Sequence, residues 1–208
     1  MTFAELQSAV RLQLKDSGTT FFTDQDIKDA LNEGYAELAD ATEFYERQAN
    51  LPLLAGRGYF DLTSVLPDTF LSCRHVYNTT TSQWLIETDA FQMDMESYGQ
   101  WEIVTGEAQK YILRGHWWLG IWPHEETDTS NLRIYYTSIP AAMELSTDEP
   151  AILREFHPGL VHFACSDLHS QQRETAKAVE YWKEYKEIEE RLKLFVEGRQ
   201  QIAGRRRL

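Results

Sequence analysis

The sequence has few cysteines, glycines and prolines, and no long hydrophobic run. Its 208 residues include only two cysteines, Cys73 and Cys165, which lie too far apart for a disulfide framework. Because it has just 11 glycines and 6 prolines, a collagen-like or low-complexity chain is excluded. No apolar run approaches the ~20 residues that span a bilayer, and the first residues lack the basic and apolar regions of a secretory signal. These absences predict a soluble protein of a reducing cytoplasm.

Basic residues are also in the minority. The chain has 20 Lys plus Arg against 33 Asp plus Glu, a formal net charge of -13. A nucleic-acid binder needs a basic face for phosphates and a membrane-surface module needs a polybasic patch, so this balance argues against both. The last ten residues depart from it, because they hold Arg199, Arg205, Arg206 and Arg207 and no acid. The charge is therefore divided between an acidic body and a short basic end.

What is present is enough apolar material for a packed core, since 42% of the residues are hydrophobic and 12% aromatic. Thr2 and Thr23 each stand where a capping residue precedes a helix. Apolar side chains then recur at helical spacing, and they are Phe3, Leu6, Val10 and Leu14 in the first segment and Ile27, Leu31, Tyr35 and Leu38 in the second. We predict two antiparallel helices. The second presents a row of carboxylates to solvent, namely Asp29, Glu33, Glu37 and Asp40.

From Leu51 the pattern changes to short β-favouring segments separated by turns. A hairpin is predicted across Gly115-His116, and a short helix between Asp89 and Tyr98. Tryptophans are concentrated in this region, at Trp101, Trp117, Trp118 and Trp122. Flat aromatic surfaces can bind sugars or bases, but tryptophan and tyrosine are enriched at protein interfaces. We therefore favour an interface over a small-ligand site.

A second helical region follows Glu149-Pro150. One helix is predicted through about Ser170, and a longer one from Thr175 to Glu197, where Gly198 is expected to end it. The predicted fold class is α+β and mainly α: an antiparallel helix bundle of two N-terminal and two C-terminal helices, with a small antiparallel β insertion and a flexible C-terminal tail. The predicted domains are the helical bundle of residues 1–50 and 141–198, the β-rich insertion domain of 51–140, and the basic tail of 199–208.

The sequence carries no phosphate-binding loop, no nucleophile elbow and no H-E-x-x-H motif. His162, Cys165 and His169 have the residue types of a zinc site, and their spacing places all three on one helical face. That face must also pack against the core, and a free cysteine usually behaves as a small buried hydrophobe. We therefore favour a structural role for them, and predict no catalytic residues, no metal and no cofactor.

An ordered set of short motifs extends through most of the chain. They are Phe22–Ile27 with Leu31–Tyr35, Tyr59–Leu62 with Leu66–Asp68, Trp118–Pro123, Leu132–Tyr136 with Pro140, and Asp148–Leu153 with Phe156-His157. Taken in this order, the set resembles the head-to-tail adaptor proteins (connector or head-completion proteins) of tailed bacteriophages. Two positions depart from the family pattern: Ala108 stands where a proline is common, and the second proline that often follows Pro123 is missing.

The resemblance implies a structural protein without enzymatic activity. Such adaptors form a ring, usually a dodecamer, on the portal protein. The ring extends the DNA channel and provides the platform for a tail or nozzle protein, and genomic DNA passes through it without specific binding. The expected location is the virion at the head–tail junction, and the host cytoplasm during assembly.

The resemblance also suggests roles for the two charged segments. A channel lined with carboxylates repels the DNA backbone, so Asp29, Glu33, Glu37 and Asp40 are candidates to line it. The C-terminal segment of related adaptors commonly reaches onto the portal. The candidate portal-binding residues are Arg199, Arg205, Arg206, Arg207 and Leu208.

Two other functions stay open from the residues alone. The first is a carbohydrate-binding or metal-dependent enzyme module built on the Trp-rich region, with the His162 group as its metal site. The second is a DNA-packaging factor that contacts phosphates through its arginine tail. Stoichiometric zinc in the purified protein would favour the first.

Overall fold

A computed structural model of the protein describes residues 1–16, 21–128 and 130–205, with the side chains of all of these except 101 and 200–205. Five α-helices and eight β-strands lie in this part of the chain. The helices are α1 (Phe3–Leu14), α2 (Asp24–Thr42), α3 (Ala90–Ser97), α4 (His157–Gln171) and α5 (Thr175–Arg205). The strands are β1 (Glu46–Pro52), β2 (Tyr59–Asp61), β3 (Phe70–Asn78), β4 (Gln83–Trp84), β5 (Ile86–Glu87), β6 (Lys110–Arg114), β7 (Trp118–Trp122) and β8 (Asn131–Ser138).

These elements belong to two units. The helical unit comprises Met1–Tyr45 and Ile139–Leu208, and the β-unit is the continuous stretch Glu46–Ser138. The protein is about 45% helical and 22% strand, so the predicted fold class, a mainly helical bundle with a small β insertion, is wrong. The strand content was underestimated because β1 begins on polar residues, and because β4 and β5 have two residues each. Strands so polar or so short show no clear alternation in sequence.

The helical unit forms around the apolar stripes predicted for α1 and α2. Both capping boxes are confirmed, since the side chains of Thr2 and Thr23 accept hydrogen bonds from the backbone N–H groups of Glu5 and Asp26. The apolar side chains of both stripes are buried except Leu14, which is half-buried. Helix α4 packs against α1, α2 and α5, and it therefore lies at the centre of this unit.

Helix α5 is longer than predicted. It continues through Gly198 to Arg205, so the predicted helix end at Gly198 is wrong, and residues 199–205 are helical in place of a flexible tail. Glycine in a helix interior costs only about 1 kcal/mol relative to alanine, and the glutamate, leucine and arginine residues around it favour a helix. Arg206, Arg207 and Leu208 lie outside the described residues.

The β-unit is a sandwich of two four-stranded sheets. Sheet A has the order β1-β8-β3-β4 and is antiparallel, whereas sheet B has the order β2-β7-β6-β5, with β5 parallel to β6. Alternate residues of both sheets point inward and form one apolar cluster. Its members include Leu51, Val76, Leu132 and Ile134 from sheet A, and Phe60, Tyr111, Leu119 and Ile121 from sheet B.

Helix α3 covers the outer side of sheet B. Its Met93 is fully buried against Ile112 of β6, with Tyr59 and Trp122 packed around them. The predicted short helix is confirmed, and Asp89 caps it by accepting a hydrogen bond from the backbone N–H of Gln92 at 2.7 Å. The β-unit therefore has three layers in the order α3, sheet B and sheet A.

Candidate functional site

The four predicted channel residues form one exposed surface of α2. Asp29, Glu33, Glu37 and Asp40 are all exposed, and their spacing repeats every three or four residues, which keeps them on one side of the helix. The opposite side carries the buried stripe. Lys28 is the one basic residue of α2, so this surface, the α2 acidic face, has a strongly negative potential that repels phosphates.

Two residues of the His162 group contact carboxylates, one on α5 and one directly before it. His162 Nδ1 lies 2.9 Å from Glu184 Oε2, and His169 Nδ1 lies 2.8 Å from Glu174 Oε2. The ring of Tyr181 stacks on both imidazoles, with centroid distances of 6.1 and 5.6 Å. These contacts join α4 to α5 along two helical turns, so the two histidines have a structural role.

The third residue of the His162 group, Cys165, is fully buried. Its Sγ donates a hydrogen bond to Gln13 Oε1 at 3.4 Å, and burial raises the pKa of the thiol to about 12. At neutral pH it therefore stays protonated, whereas zinc binds the thiolate. Within residues 1–16, 21–128 and 130–205, no three His, Cys, Asp or Glu side chains are grouped so that they could hold a metal ion.

Two further histidines are buried, one in each unit. His157 stands at the start of α4, where its Nε2–H donates to the Ile152 carbonyl at 3.0 Å. Burial lowers the pKa of His157, although that hydrogen bond favours the protonated ring. Burial likewise lowers the pKa of His124 in the β-unit. Both rings therefore bind a proton less readily in the folded protein than in the unfolded chain.

This difference predicts a loss of stability in mild acid. Since the unfolded chain takes up the two protons first, the free energy of unfolding decreases as pH falls through about 6.5, the ordinary value for histidine. We expect Tm, followed by circular dichroism, to decrease from about pH 7 to about pH 5, and to decrease less in His124→Gln and His157→Gln. If both variants lose Tm as steeply as the parent protein, the buried histidines do not control this interval.

The predicted tryptophans do not form a single platform. Trp117 packs beside the core ring of Phe70, at a centroid distance of 5.4 Å. By contrast, Trp118 and Trp122 lie on the outer side of sheet B. Trp118 is exposed, whereas Trp122 is half-buried with the Lys110 ammonium 5.4 Å from its ring centroid. The side chain of Trp101 is outside the described residues.

A different aromatic group, missed by the sequence analysis, lies on the outer side of sheet A. Trp84 of β4 contacts Tyr77 and His75 of β3, with centroid distances of 4.8 and 5.9 Å, and Tyr135 of β8 at 5.5 Å. The register pairs Tyr77 with Trp84 and His75 with Tyr135, so all four side chains stand on the same side of the sheet. These residues form the Trp84 cluster.

The comparison with protein families decides the identity. The model of one family, described as SU10 adaptor protein, matches residues 1–207. The chain belongs to this family. SU10 adaptors are head–tail adaptors of phages, so the resemblance drawn from the motifs is confirmed and the protein is a phage structural adaptor. No curated protein matches the chain.

The end of the adaptor carries its predicted portal-binding residues. Arg199 is exposed on α5, and its guanidinium lies 5.7 Å from the ring centroid of Phe195. Arg205 is the last residue of α5. Arg206, Arg207 and Leu208 lie outside the described residues, as does the Arg205 side chain. In the described part of the adaptor, no helix is both long and apolar enough to cross a membrane.

Proposed function

We propose that this adaptor assembles as a dodecameric ring beneath the portal protein. The ring extends the DNA channel and is the platform to which a tail or nozzle protein attaches. The adaptor acts as a structural protein without catalysis or cofactor, at the head–tail junction of the virion, after assembly in the host cytoplasm. The chain belongs to a head–tail adaptor family, and the observation that supports the proposal is its α2 acidic face.

The α2 acidic face is the proposed channel lining. It presents four carboxylates over about three turns of an exposed helix, and a ring repeats that surface around its axis. Like charges on the wall and on the DNA backbone repel one another, and the low-dielectric walls of a channel strengthen this field. DNA then passes through the ring without adhering to it.

The C-terminal arginines are the proposed portal contact. Arg199 is exposed on α5, and the chain has no acid after it. Arginine forms bidentate hydrogen bonds with carboxylates, so Arg205, Arg206 and Arg207 suit an acidic portal surface. Leu208 then occupies a small apolar site beside them. Opposite charges at such a contact increase the association rate and select the partner.

Mass measurement tests the assembly directly. The purified adaptor is measured alone and after mixing with the portal protein of the same phage, by native mass spectrometry or mass photometry. We expect a monomer that joins the portal ring in twelvefold complement. A portal mass that does not change on addition of the adaptor would contradict the proposal.

Neutralising the α2 acidic face tests the channel lining. The substitutions Asp29→Asn, Glu33→Gln, Glu37→Gln and Asp40→Asn should raise the affinity of portal–adaptor rings for duplex DNA by roughly tenfold at low salt, because they remove the repulsion. Fluorescence anisotropy of labelled DNA measures this affinity. The matched control makes the same charge change on α5, with Glu180, Glu187, Glu190 and Glu197 each replaced by glutamine. Equal gains in the two variants would show that overall charge, and not this face, governs DNA contact.

A further inference from the structure

The β-unit has an exposed apolar surface on its α3 side. Met93 points from α3 into the protein, whereas Phe91 and Met95, four residues apart on the other side of the helix, are 74% and 66% exposed. Tyr98 follows directly and is 94% exposed, and Ile103 is 72% exposed. Phe91, Met95, Tyr98 and Ile103 form the α3 outer surface. Apolar groups concentrated in this way on a soluble protein mark a site of interaction.

The charges beside the α3 outer surface are mainly negative. Asp94 and Glu102 are exposed there. The Lys110 ammonium is paired with the Glu96 carboxylate, and the Arg114 guanidinium lies over the Tyr59 ring, 5.5 Å from its centroid. A partner for this surface therefore needs rings or aliphatic groups to cover the apolar side chains, and cationic or amide groups to meet the carboxylates. A nucleic acid is disfavoured here, because its phosphates would face these carboxylates.

The outer side of sheet A has this complementary chemistry. The row that contains Trp84 continues through Tyr77 and Arg133 to Asn50 in β1. Rings, a guanidinium and an amide thus stand side by side across four strands. Among the described strands of sheet A, the one carboxylate is Glu46, which pairs with Thr137, four residues along β8 from Arg133. Trp84 itself is 38% exposed.

The two surfaces lie on opposite sides of the sandwich. Sheet B is covered by α3 of its own chain, whereas within the described β-unit the outer side of sheet A carries no helix. A contact between opposite sides of identical subunits is heterologous, so each copy can bind the next, and the series closes into a ring when the rotation permits. A second copy of this chain therefore brings both the chemistry and the helix that sheet A lacks.

We propose that the α3 outer surface of one adaptor docks on the Trp84 cluster of the next. This inference rests on the proposed ring and names the residues that join its subunits. Phe91 and Met95 pack on the rings of Trp84 and Tyr135, and the acidic side of α3 faces Arg133. Large aromatic and arginine side chains of this kind carry most of the binding energy at protein interfaces.

Cysteine cross-linking tests the contact. Gln100→Cys beside the α3 outer surface and Asn50→Cys, both at exposed positions, are introduced into one full-length chain that keeps Phe91 and Trp84. The chain is treated with a short bismaleimide, both alone at high concentration and after mixing with the portal protein. Since every copy carries both partners, we expect a ladder of covalent dimers, trimers and larger species. The matched control, Ser64→Cys with Asp68→Cys, places two exposed cysteines on another part of the β-unit and should give roughly tenfold less product, a difference of about 1.4 kcal/mol in association.

Each outcome separates the interface from the proposed function. Portal docking without a ladder overturns the proposed interface but leaves the proposed ring on the portal unchallenged. A ladder without portal docking supports the interface and contradicts the proposed binding of the adaptor to the portal protein. Dimers from Gln100→Cys alone show α3 paired with α3. Cross-links to a tail protein, or binding of a sugar or nucleic acid to the Trp84 cluster, show another occupant. Each of these results overturns the inference, as does the absence of both ladder and docking.

A second pair of variants keeps the test independent of thiol chemistry. Phe91→Lys with Met95→Lys blocks the α3 outer surface, and Trp84→Ala with Arg133→Glu blocks the opposite side. Each pair should weaken association between copies by at least roughly 30-fold, with an unchanged circular dichroism spectrum. Mixed in equal amounts, the two blocked variants retain one intact contact and should form a dimer that grows no further. Failure of the mixture to dimerise, when the parent protein associates, contradicts a heterologous contact.

Discussion

Reversing the charge of the last three arginines, with Arg205→Glu, Arg206→Glu and Arg207→Glu, should weaken binding to the portal by at least roughly 100-fold. Each substitution removes a cation from an acidic partner and introduces repulsion in its place, and a broken charge pair at an interface costs about 2–5 kcal/mol. The effect should decrease with increasing salt, since exposed charges are screened over about 8–10 Å at physiological ionic strength. The measurement is a titration of portal rings with labelled adaptor at two salt concentrations.

The matched control for this prediction is on the same helix. Lys183→Glu, Arg191→Glu and Lys193→Glu alter three exposed positions of α5 and change the net charge by the same amount. We expect this variant to bind the portal with nearly the affinity of the parent protein. If the two triple variants bind equally weakly, the tail has no specific role and the total charge of the adaptor governs docking.

Replacing Gly34 with leucine should destabilise the helical unit by about 2–3 kcal/mol, because overpacking a core forces neighbouring groups apart. A Cβ at this position would lie 2.7 Å from Cδ1 of Phe163. The Phe163 ring is itself held in the core against Tyr185, with a centroid distance of 5.2 Å. Equilibrium unfolding in urea measures the change in the free energy of unfolding.

Gly198 provides a control with the opposite sign. It also lies inside a helix, but nothing is within 4 Å of an added Cβ. Gly198→Leu should therefore stabilise the protein by about 0.5–1 kcal/mol, the difference in helix propensity. Combining Gly34→Leu with Phe163→Ala should recover part of the lost stability, since the new side chain occupies the vacated space. A Gly34→Leu protein as stable as the parent would contradict the close approach of α2 and α4.

Local signals in the sequence predicted the helices well, and their limits explain the errors in the fold. The caps at Thr2, Thr23 and Asp89 depend on side chains that bond within three residues, so spacing reveals them. Gly198 was misread because a glycine near the end of a helix usually adopts the left-handed conformation that stops it, and here the helix continues. The sheets were underestimated because short and polar strands depend on their neighbours for stability.

The candidate surfaces also differ in how far the sequence predicts them. The α2 acidic face was predictable, since Asp29, Glu33, Glu37 and Asp40 share one side of a single helix. The Trp84 cluster was not, because its rings come from β3, β4 and β8, and only the pairing register brings them together. The aromatic residues close together in sequence, Trp117 and Trp118, fall instead on opposite sides of sheet B.

The arrangement of the helical unit around an inserted β-unit has a consequence for synthesis on the ribosome. Helices α1 and α2 emerge first, but α4, against which both pack, emerges only after the whole of Glu46–Ser138. Because domains fold as units while the chain is made, the continuous β-unit completes its fold before the helical one. The nascent chain therefore carries the apolar stripes of α1 and α2 without α4 to cover them for most of its translation, and apolar surface exposed in this way favours aggregation.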